Sequence, residues 1–332
     1  MSMPNQEADL ERISAALTCM HTHARVLGFD LLQGGLSGSY TYRVRLDGGP
    51  AVLKVTPATC EPHVLERARR EFEFYHTLAG QIPLRTPPML ARHRDPTSGT
   101  YLLLVALEPV QPPQAWQGAD FASVAEELAA LHARFWGNAA ELSRYSWLRQ
   151  PAAGTSPAEI DAAQAAWQAL GEQERLRGVL TAPVRRSLGH WVAHISAVDA
   201  MLAAYPLTLC HGDCHIGNLL CDAQGNRVWA DWQEVGVGRG PEDLSFLLQR
   251  ASHDGSDVPW EQTVAAYQQH LQAAVGEPVP LAAIQRTMDA SELRTELIQW
   301  PFYLQGAMID QVSRMIHRIG SLVSRLGLES AA

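Results

Sequence analysis

Nowhere in the 332 residues does an apolar run approach the roughly 18 residues that a membrane helix needs, so no membrane partner is expected. Residues 1–9 are polar and acidic and lack the basic start and apolar stretch of a signal peptide, which makes the cytoplasm the expected compartment. Positive charge is also short. The 26 Lys and Arg stand against 35 Asp and Glu, a net charge of -9, and no basic cluster is present to meet nucleic-acid phosphates. A neutral or cationic small molecule fits that balance better than a nucleic acid does. Cysteine is scarce and odd in number: Cys19, Cys60, Cys210, Cys214 and Cys221 form no repeating framework, so reduced thiols are expected. Cys210, His211, Cys214 and His215 are all metal-ligating types. Their Cys-x3-Cys spacing has no second pair, however, and fits neither a structural zinc site nor haem attachment. They read as bystanders flanking a loop.

What is present is enough for a large core, with 46% hydrophobic and 18% charged residues in a chain about twice the length of a typical domain. Two lobes are expected. Leu10, Ile13 and Leu17 mark a first helix, followed by short β-rich runs at 29–32, 40–46 and 51–55, the last two joined through Asp47-Gly48-Gly49. A charged helix over 61–78 and a strand at 101–105, with another near Pro87 and Pro88, complete this part. Pro109, Pro112 and Pro113 then break regular structure, after which helical patterns recur at 121–136, 159–178, 184–204, 260–274 and 281–326. Only 207–231 reads as β in the second half. The expected class is α+β, with a small N-terminal lobe of antiparallel sheet plus helix over 1–106, a hinge over 107–114 and a larger helical lobe over 115–332.

Gln33-Gly34-Gly35-Leu36-Ser37-Gly38-Ser39 lies between two strands, where glycine backbone and serine hydroxyls can approach phosphate oxygens. By itself this is also the pattern of an ordinary hairpin. Lys54, the only lysine in the first 60 residues, sits mid-strand with Val52 and Thr56 on one face, and needs a carboxylate partner if that face is inward. Glu71 on the next helix can supply it, with Glu73, about 200° around the helix, as the competitor. In the run from Cys210 to Asn218, Asp213 can take or orient a hydroxyl proton. Asn218, five residues on, and Asp231, at a later strand end, offer the oxygen ligands that Mg2+ prefers.

Gly35-Leu36-Ser37-Gly38, Lys54, Arg70-Glu71, Tyr101-Leu102-Leu103-Leu104, Leu128 to Ala133, His211-Gly212-Asp213 to Asn218 and Asp231-Trp232 follow one another in a fixed order. That series resembles the aminoglycoside phosphotransferase and choline kinase superfamily, which shares the two-lobed protein-kinase-like fold. His132 to Trp136, Asp231-Trp232-Gln233 and Pro241 to Leu244 are closer to its ecdysteroid-kinase-like branch. The resemblance implies that Asp213 is catalytic, that Asn218 and Asp231 hold magnesium, and that Lys54 and Glu71 position phosphates under Gly35, Ser37, Gly38 and Ser39. It also implies that the backbones of Val105 and Leu107 meet adenine, that Asp243 braces the catalytic loop and that His211 is structural. Many relatives carry an acidic residue where this chain has Val105-Ala106-Leu107, which opens the choice between ATP and GTP.

The implied activity is a Mg2+-dependent O-phosphotransferase acting on a small-molecule hydroxyl, on an aminoglycoside or other antibiotic, an amino alcohol or a sterol-like alcohol. The alternative is an inactive nucleotide-binding scaffold. Protein kinase activity is not expected, since no Ala-Pro-Glu segment follows Asp231. For the acceptor, the sequence offers Glu234, the acidic series Asp289, Glu292 and Glu296, which also reads as a solvated helix face, and Trp260, Trp300, Phe302 and Tyr303, which also read as core. No feature specifies an oligomeric state.

Overall fold

The computed structural model describes residues 6–32, 39–151 and 153–329. The first helix, α1 (Gln6–Cys19), precedes strands β1 (Val26–Leu31), β2 (Tyr40–Leu46) and β3 (Gly49–Pro57). Helix α2 (Pro62–Glu73), which widens into a π turn over Phe74–Leu78, leads to β4 (Met89–Asp95) and β5 (Gly99–Val105). These five strands form one antiparallel sheet in the order β1-β2-β3-β5-β4.

Strand alternation gives the sheet two different faces. Ala51, Leu53 and Val55 of β3 and Tyr101 and Leu103 of β5 pack with Ile13, Ala16 and Leu17 of α1. Leu10 faces solvent instead, at 43% exposure. The opposite face carries Val52, Lys54, Thr56, Leu102 and Leu104, and these line a cleft. A register slip of one residue would bury Lys54 against α1 and expose Leu53.

After β5, β6 (Glu108–Pro109) pairs with β8 rather than with the five-stranded sheet. Helices α3 (Gly118–Arg134), α4 (Ala139–Leu142), α5 (Pro157–Glu172), α6 (Ala182–Ala193) and α7 (Ser196–Ala203) follow. The β segment then forms β7 (Thr208–Cys210), β8 (Leu219–Cys221), β9 (Arg227–Trp229) and β10 (Gly236–Gly238), with β7 paired to β10 and β8 to β9. Four more helices complete the chain: α8 (Gly240–His253), α9 (Trp260–Val275), α10 (Leu281–Ile298) and α11 (Ile309–Leu326). The single helical pattern at 281–326 is broken because Pro301 cannot donate to a helix ladder and Gly306 weakens it. β10 and α8 lie outside the segments where strands and helices are expected from sequence. α8 carries Pro241 in its first turn, where the missing N–H costs nothing, and buries Leu244, Leu247, Leu248 and Ala251 at helical spacing.

Two cores hold the helical part. One joins Leu128 and Leu131 of α3, Leu244 and Leu248 of α8 and Tyr267 and Leu271 of α9 to Phe74, Leu102 and Leu104 beneath the sheet. The other, remote from the cleft, gathers Trp167 and Leu170 of α5, Leu188 and Val192 of α6, Leu293 and Leu297 of α10 and Ile319 and Leu322 of α11. Among the described residues no helix is long and apolar enough to cross a membrane.

The acidic series on α10 is not a solvated face. Glu292 and Glu296 are buried; Arg318 of α11 grips Glu292 through two hydrogen bonds of 2.6 and 2.5 Å, and Arg325 lies 2.9 Å from Asp289. The helix is amphipathic towards α11, and long arginines cover its acids. Glu296 has no such bond and its Oε2 is buried without a partner. Burial, reinforced by Glu292 and opposed by Arg318, pushes its carboxyl up to about 8. Trp300, Phe302 and Tyr303 are not core either, being 41%, 50% and 75% exposed.

An acid whose folded-state pKa is raised binds more protons when folded, so the stability it contributes falls as pH rises from about 4.5 to about 8 and is level above that. Glu296→Gln, which keeps the shape without the charge, is therefore expected to match the wild type in thermal midpoint at pH 5 and to exceed it by several degrees at pH 8.5. Scanning calorimetry across that range checks it; a gap independent of pH contradicts the burial of an ionisable Glu296.

Candidate active site

The cleft between the sheet and the β7–β10 region encloses about 770 Å³, within the range of about 300–1,000 Å³ typical of small-ligand sites. Its apolar lining includes Val52, Leu102, Leu104 and Leu220. The same cleft is lined by Lys54, across from Leu102 of β5, and by Glu71, Asp213, Asn218 and Asp231.

Lys54 Nζ makes three short contacts, with Glu71 Oε1 at 2.8 Å, Glu71 Oε2 at 2.9 Å and Asp231 Oδ1 at 2.7 Å. Burial alone would depress the ammonium, but the charges of Asp231 and Glu71 more than reverse this and hold it protonated. Burial would likewise raise Asp231, and Lys54 overrides it so that the carboxyl lies below its ordinary value. Glu73 points elsewhere, to Arg94 at 3.0 Å. Lys54 is the only lysine of the chain; the other 25 of the 26 Lys and Arg side chains are arginines. A compact ammonium with three rotatable donors fits between two carboxylates, where the planar guanidinium fork does not.

Asp231 reaches this pair from a left-handed backbone (φ 61°, ψ 61°), a conformation that Asp adopts more readily than most residues and that turns its carboxylate back into the cleft. Just beyond it, Trp232 stacks on Phe74 of α2's continuation, with ring centroids 4.2 Å apart and planes 11° from parallel. Arg70 of α2 donates to the Gln233 carbonyl at 2.6 Å, and Arg67 and Arg70 both pair with Glu234. The helix that carries Glu71 is thus clamped to the turn that carries Asp231. Glu234 lines the cleft, but its carboxylate is held by those two arginines.

Asp213 sits on a loop whose backbone is fixed from behind. The buried Asp243 of α8 accepts from the N–H of His211 at 2.6 Å and of Gly212 at 2.9 Å, while His132 lies 3.3 Å away. Burial would raise Asp243, but hydrogen bonding to His132 and the nearby His132 and His211 rings keep it below the ordinary carboxylate range. Gly212 needs its missing side chain: its φ is +82°, and a Cβ would fall 2.2 Å from the Glu234 carbonyl oxygen. His211 donates from Nε2 to the Ala230 carbonyl at 2.9 Å and accepts the Asp213 N–H on Nδ1 at 3.3 Å, a bridge between loop and strand. Asn218 donates to the Asp213 carbonyl at 2.8 Å and lies 3.4 Å from Asp213 Oδ2. Its own Oδ1, and Asp231 Oδ2, make no hydrogen bond among the described residues. Those two hard oxygens belong to residues that line one cleft and suit a divalent cation such as Mg2+.

Of the other residues expected from sequence, Ser39 lines the cleft and its hydroxyl is 2.6 Å from that of Thr56, whereas Gly35, Ser37 and Gly38 lie outside the described residues. Val105 also lines it, with its N–H donated to Pro88; the Ala106 N–H goes to Pro50, and the Leu107 N–H has no acceptor among the described residues. Trp300, Phe302 and Tyr303 do not reach the cleft. Cys210 and Cys214 are buried, and burial pushes both thiols up, away from the reactive thiolate. His215 departs from the bystander reading, since its ring lines the cleft beside Asp213. Burial, opposed by Asp213, lowers it below the ordinary imidazole value.

A family model described as phosphotransferase enzyme family matches residues 29–278, three quarters of the chain and all the polar groups just described. The chain belongs to that family. A search of curated proteins returns no match. Among solved structures, wild-type aminoglycoside 2'-phosphotransferase-IIIa in its GDP complex is 13% identical with a TM-score of 0.64, covering 96% of this chain and 99% of that one. A macrolide 2'-phosphotransferase from Brachybacterium faecium is 18% identical (TM-score 0.57; 98% and 100% covered). Choline kinase from Streptococcus pneumoniae is 15% identical (TM-score 0.56; 97% and 99% covered). At such identities the likeness carries the fold, and it agrees with the α+β, two-part architecture. The family phosphotransferase is thus a member of the superfamily that its motifs resemble.

Removing the brace tests how the loop is held. Asp243→Ala leaves two buried N–H groups without an acceptor and is expected to cost about 3 kcal/mol or more in urea unfolding, with Asp243→Asn, which keeps one acceptor oxygen, losing less.

Proposed function

We propose that this phosphotransferase transfers the γ-phosphoryl group of ATP to a hydroxyl of a small molecule, with Mg2+. The observation that carries the reading is the convergence of Lys54, Glu71, Asp213, Asn218 and Asp231 in one cleft that apolar side chains also line. A purine needs apolar walls and a triphosphate needs fixed cations and donors, and the cleft lining includes both kinds. Residues 1–106 serve as the nucleotide lobe, 107–114 as the hinge, where the Leu107 N–H, without an acceptor among the described residues, and the Val105 backbone meet the base, and 115–332 as the catalytic and acceptor lobe. Ser39, the described end of the glycine-rich run, lines the same cleft and would face the phosphates.

Lys54, held by Glu71, positions the α and β phosphates. Asn218 and Asp231 hold magnesium, which supplies positive charge against the charge that builds on the phosphates. Asp213 takes the proton of the acceptor hydroxyl while that oxygen bonds to the γ phosphorus and the bond to the leaving ADP oxygen breaks. Two nucleotide-bound neighbours, a GDP complex and an AMP complex, support a nucleotide in this cleft and keep GTP as the alternative donor. Neighbours act on kanamycin-like aminoglycosides, macrolides and choline by their names. Because Arg67 and Arg70 hold Glu234, we do not assign it to an acceptor amine.

The test is a screen of aminoglycosides, macrolides, choline-like amines, sugars and sterols with ATP or GTP and Mg2+, reading nucleoside diphosphate release. Turnover with at least one acceptor should fall by about 10²–10⁴-fold in Asp213→Asn while nucleotide binding persists. Nucleotide binding with no transfer to any acceptor points to a scaffold instead. A separate prediction uses the single lysine: an amine-reactive ATP analogue should label one side chain, Lys54, with ATP protecting it. Lys54→Arg should lose both label and turnover.

A further inference from the structure

His215 follows Asp213 by two residues, and the loop fixes how its ring is presented. The Gly217 N–H donates to Nδ1 at 3.1 Å, so the neutral ring carries its proton on Nε2. The ring lies there because residue 217 has no side chain; a Cβ would sit 2.9 Å from Cε1 and 3.0 Å from Nδ1. Nε2 is 3.8 Å from Asp213 Oδ1, beyond hydrogen-bond length, and no other acceptor meets it among the described residues. Asn218 flanks the same carboxylate on its Oδ2 side. The base is therefore bracketed, on one side by an amide that holds it and on the other by an N–H that lines the cleft with its proton unused.

An unused donor beside the proton-accepting carboxylate is placed where negative charge gathers on the group in transit. We propose that His215 is a second catalytic residue, donating its Nε2–H to a non-bridging oxygen of the transferring phosphoryl group. The inference rests on the phosphotransferase reading above. No proton leaves the ring: the acceptor's proton goes to Asp213, the new P–O bond forms as the bond to the departing diphosphate breaks, and His215 only holds the charge. The contact is to the γ group, so ADP does not make it.

The experiment compares His215→Ala and His215→Gln with the wild type in thermal stability, in calorimetric affinity for Mg-ADP and for a non-hydrolysable Mg-ATP analogue, and in kcat. The glutamine amide can reach about where Nε2 lies. His215→Ala should keep the ADP affinity, bind the triphosphate analogue about tenfold more weakly and lose roughly 10²-fold in kcat. His215→Gln should recover most of both. The proposal is overturned if the triphosphate-to-diphosphate affinity ratio is the same in wild type and folded His215→Ala, or if folded His215→Gln is no better than alanine. Should the wild type bind neither nucleotide, the parent reading falls first, and that outcome is distinct from loss of the ratio alone.

Discussion

The site depends on one buried arrangement of charge, the Lys54 ammonium held between Glu71 and Asp231 at 2.7 to 2.9 Å. Two unit charges about 4 Å apart attract by about 4 kcal/mol at an effective dielectric near 20, and removing Lys54 leaves two buried carboxylates facing one another without a counter-charge. The constraint reaches well beyond the contact itself. It needs β3 in the register that turns Lys54 away from α1, α2 at the depth that presents Glu71 rather than Glu73, and a left-handed residue at 231. The Phe74 and Trp232 stack and the Arg70 bond to Gln233 then hold helix and turn together.

The catalytic loop is secured by different means. Asp243 uses its carboxylate on two backbone N–H groups, a stronger kind of hydrogen bond than a neutral acceptor makes, and His211 ties the loop to Ala230. Asp213, Asn218 and His215 are consequently placed by backbone geometry rather than by packing of their own side chains. Among the described residues, that leaves Asn218 Oδ1 and His215 Nε2 without hydrogen bonds on residues that line the cleft.

Much of this was legible in the sequence because the chemistry uses short spacings. Asp213 and Asn218 are five residues apart on one loop, and a lysine amid apolar strand residues demands a carboxylate somewhere. The histidines of the same run could not be told apart by spacing. His211 turns inward to a carbonyl and His215 outward to the cleft, a difference set by positive φ at Gly212 and by the space that Gly217 leaves. The acids of α10 misled for a related reason: at i, i+3 and i+7 they share a face, but only α11's Arg318 and Arg325 decide that the face is covered. Aromatic residues at 300–303 were equally ambiguous, since Pro301 carries them out of the helix and off the core.

By itself the sequence determined the division into a β-rich first part and a helical remainder, the identity of the polar groups and their order along the chain, because period, turn chemistry and local motifs act over a few residues. Tertiary structure alone decided which groups meet. Lys54 and Asp231 are 177 residues apart, and their contact follows from how the sheet and the β7–β10 region close on one another. The same closure engages Glu234 with arginines and leaves the His215 N–H without an acceptor among the described residues. Burial is what separates the two kinds of knowledge: it turns spacing into electrostatics, and burial is a property of the whole fold.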